Sequence, residues 1–232
     1  CMKRDHDKFY LLENNKEIKQ VFVEVADVAE IISFKSIADV GCATGAFPNY
    51  LKKRFPEANV VGIEYLDDLI KKAAIDFPEM NFIQGNVLDK NSIAQKYDVI
   101  TMLGVLCIFD DYSKVLKNVL SWLNPKGRLI LHNMMSDYDI DVFVKYNPSG
   151  KQFNENQLQS GWNILSEKSL SLVAEENNAK IIFSRKFKLN IKLEKRNDVM
   201  RSWTEENKYG EKDIFNALHI RQPQKIIVVQ KT

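Results

Sequence analysis

Apolar residues near the start of the chain fall three and four positions apart. Ile18, Val21, Phe22, Val25, Val28, Ala29 and Ile32 form the stripe that a helix buries. From residue 36 the rhythm changes, and short apolar runs alternate with longer periodic stretches. Residues 36–40, 59–63, 81–83, 98–102 and 128–132 read as strands, and 46–54, 67–76 and about 111 to 123 as helices. Asn124-Pro125-Lys126-Gly127 is a turn signal between the last helix and the last strand. Strands separated by helices need crossover connections, so this alternation predicts a parallel sheet with helices on both faces.

The pattern breaks after Asn133. Residues 134–165 carry Asp, Asn, Gly and Gln with scattered aromatics and read as an insertion or lid. A helix resumes over 166–178 with Ser166 as its N-cap. Residues 180–193 and 224–229 read as strands, with turn chemistry at Lys208-Tyr209-Gly210-Glu211 between them. No repeat or flexible linker interrupts the chain. The expected organisation is one domain over 1–232, with a helical cap segment at 1–33 and substrate-side insertions at 134–165 and 195–222.

Composition narrows the class. The chain has 232 residues, enough for one large core, and a formal net charge of +2. That balance gives no electrostatic footprint for nucleic acid, so nucleic acid is not an expected partner. Cys1, Cys42 and Cys107 have no metal-ligand spacing, and no metal is expected. Unpaired thiols suit a cytoplasmic protein. No apolar run reaches the roughly 20 residues that span a bilayer, and no signal peptide is visible.

The chemistry concentrates at Ile37-Ala38-Asp39-Val40-Gly41-Cys42-Ala43-Thr44-Gly45. A buried strand ends in a carboxylate, two glycines bracket a tight turn, and a helix follows. Glycines there let backbone approach a bound cofactor. Val60-Val61-Gly62-Ile63-Glu64 is a second buried strand ending in a carboxylate suited to both hydroxyls of a ribose. A dinucleotide fingerprint fits less well, because Ala43 and Ala46 stand at the second and third glycine places. The phosphate-cradling loop with its lysine is absent.

These corners, with Gly85-Asn86-Val87-Leu88-Asp89, Tyr97-Asp98-Val99-Ile100 and Leu123-Asn124-Pro125-Lys126-Gly127-Arg128 in order, resemble the class I S-adenosylmethionine-dependent methyltransferases over roughly residues 36–133. The resemblance implies a doubly wound, mostly parallel seven-stranded, Rossmann-like sheet with an antiparallel C-terminal strand. It implies S-adenosyl-L-methionine as cofactor and S-adenosyl-L-homocysteine as product. On it, Gly41, Cys42, Ala43 and Gly45 form the turn beside the methionine and ribose, and Asp39 helps hold the amino-acid end. Glu64 takes the ribose hydroxyls and Tyr65 packs on the adenine. Asn86, where many relatives have aspartate, and the Val87 N–H meet the adenine edge. Leu103 and Gly104 fit the place whose carbonyl receives the methionine ammonium.

The acceptor side is less marked. His132, at the end of a predicted strand near the expected methyl group, suits a general base. Asp137, Tyr138, Asp139, Trp162, Arg201, Trp203 and His219 are candidates for the acceptor pocket. Trp162 and Trp203 are stacking surfaces and Arg201 a clamp for phosphate or carboxylate. Gly161-Trp162-Asn163-Ile164-Leu165-Ser166 and Arg201-Ser202-Trp203-Thr204 resemble bacterial methyltransferases of surface-polysaccharide or related small-molecule pathways. That resemblance implies a small-molecule partner, a sugar or nucleotide-linked precursor of capsule or lipopolysaccharide. A protein or RNA acceptor and a non-catalytic cofactor-binding protein remain the alternatives, and the oligomeric state stays open.

Overall fold

The computed structural model describes residues 8–12, 18–147, 150–198 and 200–232. Cys1 and the parts of the expected cap segment at 1–7 and 13–17 lie outside the described residues. Helices α1 (Lys8–Leu12) and α2 (Gln20–Glu30) precede strand β1 (Ser36–Val40), helix α3 (Ala46–Arg54) and strand β2 (Asn59–Glu64). Helix α4 (Asp67–Asp76), strands β3 (Asn81–Gln84) and β4 (Tyr97–Leu103), helix α5 (Tyr112–Ser121) and strand β5 (Leu123–Met134) follow. Short strands β6 (Lys145–Tyr146) and β7 (Gln159–Ser160) lead to helix α6 (Glu167–Glu176) and strand β8 (Ala179–Phe187). A hairpin of β9 (Trp203–Glu206) and β10 (Lys212–Phe215) precedes the last strand, β11 (Gln224–Lys231).

Seven strands form one sheet in the order β3-β2-β1-β4-β5-β11-β8. β1 to β5 are mutually parallel, and β11 runs antiparallel between β5 and β8. The chain winds outward from β1 to β3, then returns to place β4 on the other side of β1. That reversal opens a crevice beyond the carboxyl ends of β1 and β4, where sheets of this kind hold ligands.

Period-two alternation divides the core. Ile37, Val60, Val99, Ile130 and Ile226 face α2 and α3, with Phe22, Val25, Phe47 and Leu51 packed over them. Ala38, Val61, Ile100, Leu129 and Ile227 face the other way, under Leu116 and Val119 of α5 and Leu170 of α6. A ten-residue helix such as α5 is marginal alone in water. Its buried Val115, Leu116, Val119 and Leu120 hold it, at roughly 1.5–3 kcal/mol per fully buried aliphatic side chain. Asp111 caps its first turn by accepting from the Lys114 N–H at 3.0 Å.

Three local expectations need correction. The 124–127 turn does not end the helix and start a new strand. β5 already begins at Leu123, opposite Tyr97, and the ladder resumes at Arg128 opposite Val99. The four residues between form an irregularity in which Lys126 takes φ +61°. Ile18 is exposed and precedes α2. Strand 180–193 ends early, at Phe187, while the stretch with turn chemistry at 208–211 is the tip of the β9–β10 hairpin. Ser166 caps α6 as expected, accepting from the Ser169 N–H at 3.1 Å.

Candidate functional site

The β1–α3 corner is shaped by two glycines in the left-handed region. Gly41 has φ +75° and Gly45 φ +81°, and Ala43 between them sits at φ +49°. Such angles favour glycine. Packing adds a second reason. A Cβ on Gly41 would lie 2.3 Å from Val105 Cγ2, and one on Gly45 2.6 Å from Phe82 Cζ. The Gly41 and Cys42 N–H groups donate to the Ile63 carbonyl at 2.8 and 3.1 Å, which locks the corner onto β2.

Glu64 ends β2 and is buried at 8% exposure. Its Oε2 accepts from the Ala43 N–H at 3.0 Å, and its Oε1 from the Tyr65 and Leu66 N–H groups at 2.8 and 3.0 Å. One carboxylate thus ties both βα corners together. Asp39 lies deeper, at 3% exposure, and accepts from the Thr101 hydroxyl at 2.8 Å. Burial pushes its carboxyl up to about 8; the Thr101 hydrogen bond opposes the shift and the Glu64 charge adds to it. None of these influences is cationic. Burial, then Asp39 and Glu64, also hold the Cys42 thiol well above its usual range, so it is an unreactive packing group.

A cavity of about 120 Å³ opens at this corner. Gly41, Ala43, Glu64 and Tyr65 line one side, and Asn86, Val87, Leu103 and Gly104 the other. Asp39, Cys42 and Gly45 stand behind that wall rather than in it. The Asn86 side-chain oxygen, expected at the adenine, already accepts from the Leu88 N–H at 3.0 Å.

Several lining or supporting residues escape sequence reading. Tyr10 of α1 lines the cavity. Asn118 of α5 donates to the Val87 carbonyl at 2.9 Å and so fixes the loop after β3. The turn after β4, which carries Ile108 and Phe109 into the lining, is held from the insertion. Asn163 is fully buried; its N–H donates to the Cys107 carbonyl at 2.7 Å and its Nδ2 to the Phe109 carbonyl at 3.1 Å. The Asn133 side chain completes the support by accepting from the Cys107 N–H at 3.0 Å. All of these join positions far apart in the chain, so no local pattern announces them.

His132 is set back from the cavity. Its neighbour across the ladder, Leu103, lines the cavity, but His132 itself does not. The residue is half-buried, yet its Nε2 is sealed and has no hydrogen-bond partner among the described residues. Its ring packs edge-on against Phe187, 4.7 Å between centroids. Burial pushes its pKa down to about 4, and a hydrogen bond to the Gln224 side chain offsets part of that. The imidazole is therefore neutral near pH 7.

The acceptor candidates do not converge on one point. Asp137 pairs with Lys186 at 2.9 Å, and Tyr138 is 75% exposed. Asp139 pairs with Lys168 at 3.3 Å on the surface, and His219 is exposed. Trp162 packs on the small cluster of Cys107, Met134 and Ile164. Trp203 is buried in the hairpin, its Nε1 donating to Glu205 at 2.9 Å. Arg201 is the exception with reach toward the cavity: its guanidinium lies 5.3 Å over the ring of Tyr10, beside Asp198 at 3.7 Å. Among the described residues no group of His, Cys, Asp and Glu has the arrangement of a metal site, and no helix is long and apolar enough to cross a membrane.

Comparison with known proteins agrees with this geometry. The family described as "Methyltransferase domain" matches residues 11–182. A malonyl-[acyl-carrier protein] O-methyltransferase of Halalkalibacterium halodurans is 25% identical over 139 residues, 57% of this chain and 51% of that protein. A trans-aconitate 2-methyltransferase of Rhodopseudomonas palustris is 29% identical over 99 residues, 43% of this chain and 38% of that one. The matched region thus spans about half or less of these relatives. Among solved structures, TehB from Haemophilus influenzae superposes with a TM-score of 0.59 at 16% identity, covering 98% of this chain and 67% of that one. The N-methyltransferase NodS from Bradyrhizobium japonicum, in complex with S-adenosyl-L-homocysteine, gives 0.59 at 11% identity, covering 97% and 96%. At those identities the structures bear on the fold alone. With the family matched over residues 11–182, most of this chain, the chain belongs to the class I S-adenosylmethionine-dependent methyltransferase family.

Proposed function

We propose that the cavity beside Glu64 binds S-adenosylmethionine and that the methyl group passes to a sugar or nucleotide-linked precursor of bacterial surface polysaccharide. One observation carries the first half: two buried carboxylates, Asp39 and Glu64, meet at the switch point of the sheet with no cation among the influences on Asp39. Burial keeps the Asp39 carboxyl protonated near pH 7, because ionising it beside Glu64 without a cation is costly. A sulfonium nucleoside with an ammonium group supplies the missing positive charge and offers ribose hydroxyls to Glu64. In this reading Gly104, beside open space at φ +67°, presents its backbone to the amino-acid end.

S-Adenosylmethionine brings an electrophilic methyl group. What remains for this chain is to align the acceptor, exclude water and receive its proton. An acceptor lone pair forms the new bond to carbon as the carbon–sulfur bond breaks, leaving S-adenosylhomocysteine. The turn of Ile108 and Phe109, held by Asn163, excludes water on one side. The precursor reading rests on the likeness of 161–166 and 201–204 to polysaccharide methyltransferases. The names of the two relatives favour a second reading, a carboxylate acceptor on an acyl or tricarboxylic compound.

Titration with S-adenosylmethionine and S-adenosylhomocysteine, followed by release of the latter with nucleotide-sugars or with tricarboxylates, tests both halves. Absence of binding to either compound at millimolar levels would overturn the assignment. Turnover only on a protein or RNA would replace the acceptor, and binding without turnover on any of these would leave a non-catalytic cofactor-binding protein.

His132 keeps a place in this reading as the candidate general base, one position across the ladder from the cavity-lining Leu103. His132→Ala is expected to leave S-adenosylhomocysteine affinity intact and to slow turnover at least ~10-fold, the low end of what a general base contributes. Wild-type turnover in the variant removes His132 from the mechanism.

A further inference from the structure

We propose that a second basin, over the ends of β5, β11 and β8, is an anion site that holds the phosphoryl or carboxylate end of the methyl acceptor. This deepens the methyl-transfer reading and rests on it. The basin has a volume of about 310 Å³. Five cationic side chains line it: Lys186, Lys188, Lys212, Arg221 and Lys225. Three carboxylates, Asp137, Glu211 and Asp213, share the lining, which leaves it positive.

The pairing shows where the surplus sits. Lys186 meets Asp137 at 2.9 Å, Lys188 meets Glu211, and Arg221 Nε meets Asp213 at 2.7 Å. Lys225 turns to Glu167 at 3.0 Å, outside the lining. Lys212 makes no ion pair among the described residues. Asp137 feels Lys186 first, then Lys225 and Arg221, all holding its carboxyl below the usual range. Glu211 is held low in the same way by Lys188, with Arg221 adding to it.

Surface ion pairs of this kind contribute little to stability, so an incoming anion can displace a carboxylate at small cost. The groups come from four separate stretches of chain that only the fold gathers around one concavity. A cleft with a surplus of one sign of charge concentrates ligands of the other sign. The backbone beneath is fixed: the Met135 N–H donates to the Pro223 carbonyl at 2.9 Å and the Gln222 N–H to the Ile214 carbonyl at 2.8 Å. Asp213 on Nε orients the Arg221 fork, which suits phosphate and carboxylate alike.

The position fits an acceptor that spans to the methyl donor. Phe187 and Gln224 belong to the basin wall, and both contact His132. Leu103, paired with His132 on the next strand, belongs to the cofactor cavity. Leu103 on β4 lies two strands from Gln224 on β11 and three from Phe187 on β8, so the two spaces are separated by roughly 10–15 Å.

The test is calorimetric titration of the full chain, loaded with S-adenosylhomocysteine, using sodium diphosphate in one arm and citrate in the other. Binding with Kd below about 1 mM is expected in at least one arm. Diphosphate alone marks a phosphoryl end, citrate alone a carboxylate end, and both a general polyanion site. Lys212→Ala and Arg221→Ala are each expected to weaken that binding at least ~10-fold, and Arg221→Lys by less, as the fork is lost but the charge kept. S-Adenosylhomocysteine affinity should be the same in all three variants. No binding in either arm, or binding that both alanine variants leave unchanged, overturns the proposal. Failure of S-adenosylhomocysteine to bind the wild type strikes the methyl-transfer reading instead, and the two anion arms are then read on the free chain.

Discussion

Glu64→Gln is expected to weaken S-adenosylhomocysteine binding roughly 100-fold. In the wild type the carboxylate already takes three backbone N–H groups, two on Oε1 and one on Oε2. Glu64 lines the cavity, and its carboxylate is the group proposed to meet the ribose hydroxyls there. A hydrogen bond to a charged acceptor contributes about 1.5–3 kcal/mol. Losing the charge and turning an amide NH₂ toward one hydroxyl should cost on the order of 3 kcal/mol, which is about 100-fold in Kd. The same amide would oppose the Ala43 N–H, donor against donor, so thermal stability should fall as well. Calorimetric affinity and melting temperature measured side by side separate the two effects. A variant that melts lower yet binds the nucleoside as tightly as wild type would make Glu64 a clamp between the two corners and nothing more.

Asp39→Asn is expected to move stability and binding in opposite directions. The carboxyl of Asp39 titrates at about 8 in the folded chain against 3.8 as its ordinary value. Between those values the unfolded chain gives up a proton that the folded chain keeps, so stability falls as pH rises from about 4 to 8 and is flat above. By pH 8 this costs the cofactor-free protein on the order of 5 kcal/mol. Asparagine keeps an acceptor for the Thr101 hydroxyl and has no charge to bury. The variant should therefore melt higher than wild type at pH 8, and the two should converge toward pH 4. A cationic ligand reverses the balance, because it favours the ionised carboxylate. Binding of S-adenosylmethionine near pH 7 should release up to one proton from the wild type and none from the variant, and should be weaker in the variant. The buffer dependence of the binding enthalpy reads that proton directly. A wild-type stability profile flat from pH 5 to 8 would show that Asp39 is ionised in the free protein and end this account.

The two βα corners were legible because their signal is local. Asp39-Val40-Gly41 and Gly45 sit within one turn of each other, and the left-handed angles at Gly41 and Gly45 are what two glycines at that spacing permit. Glu64 reads the same way, as an acid closing an apolar run. The alternation of apolar runs and helical stripes likewise carried the parallel sheet and the cap at Ser166. The bulge at 124–127 was misread because a Pro-Gly stretch marks a break in the backbone without saying whether the strand resumes on the same partner. That depended on Tyr97 and Val99 across the ladder.

The acceptor side resisted for a different reason. Trp203 and Trp162 have the chemistry of stacking surfaces, but burial put one in the hairpin and the other on a small apolar cluster. The face of β5 that His132 would take was not marked by its own residue type. Its sealed Nε2 follows from Phe187, which reaches it from two strands away. Asn163 shows nothing in its neighbourhood of sequence that marks it as the brace of the turn after β4.

By itself the sequence determined the alternating elements, the two glycine corners and the carboxylates at 39 and 64, because a strand's period of two and a tight turn's tolerance for glycine are properties of a few consecutive residues. Tertiary structure alone decided which side chains share a cavity: Tyr10 over the corner beside Glu64, Asn118 and Asn163 beneath its loops, and five cations from three stretches around one basin. Proximity of that kind is set by how layers pack and how the sheet orders its strands, and it leaves no trace in local spacing.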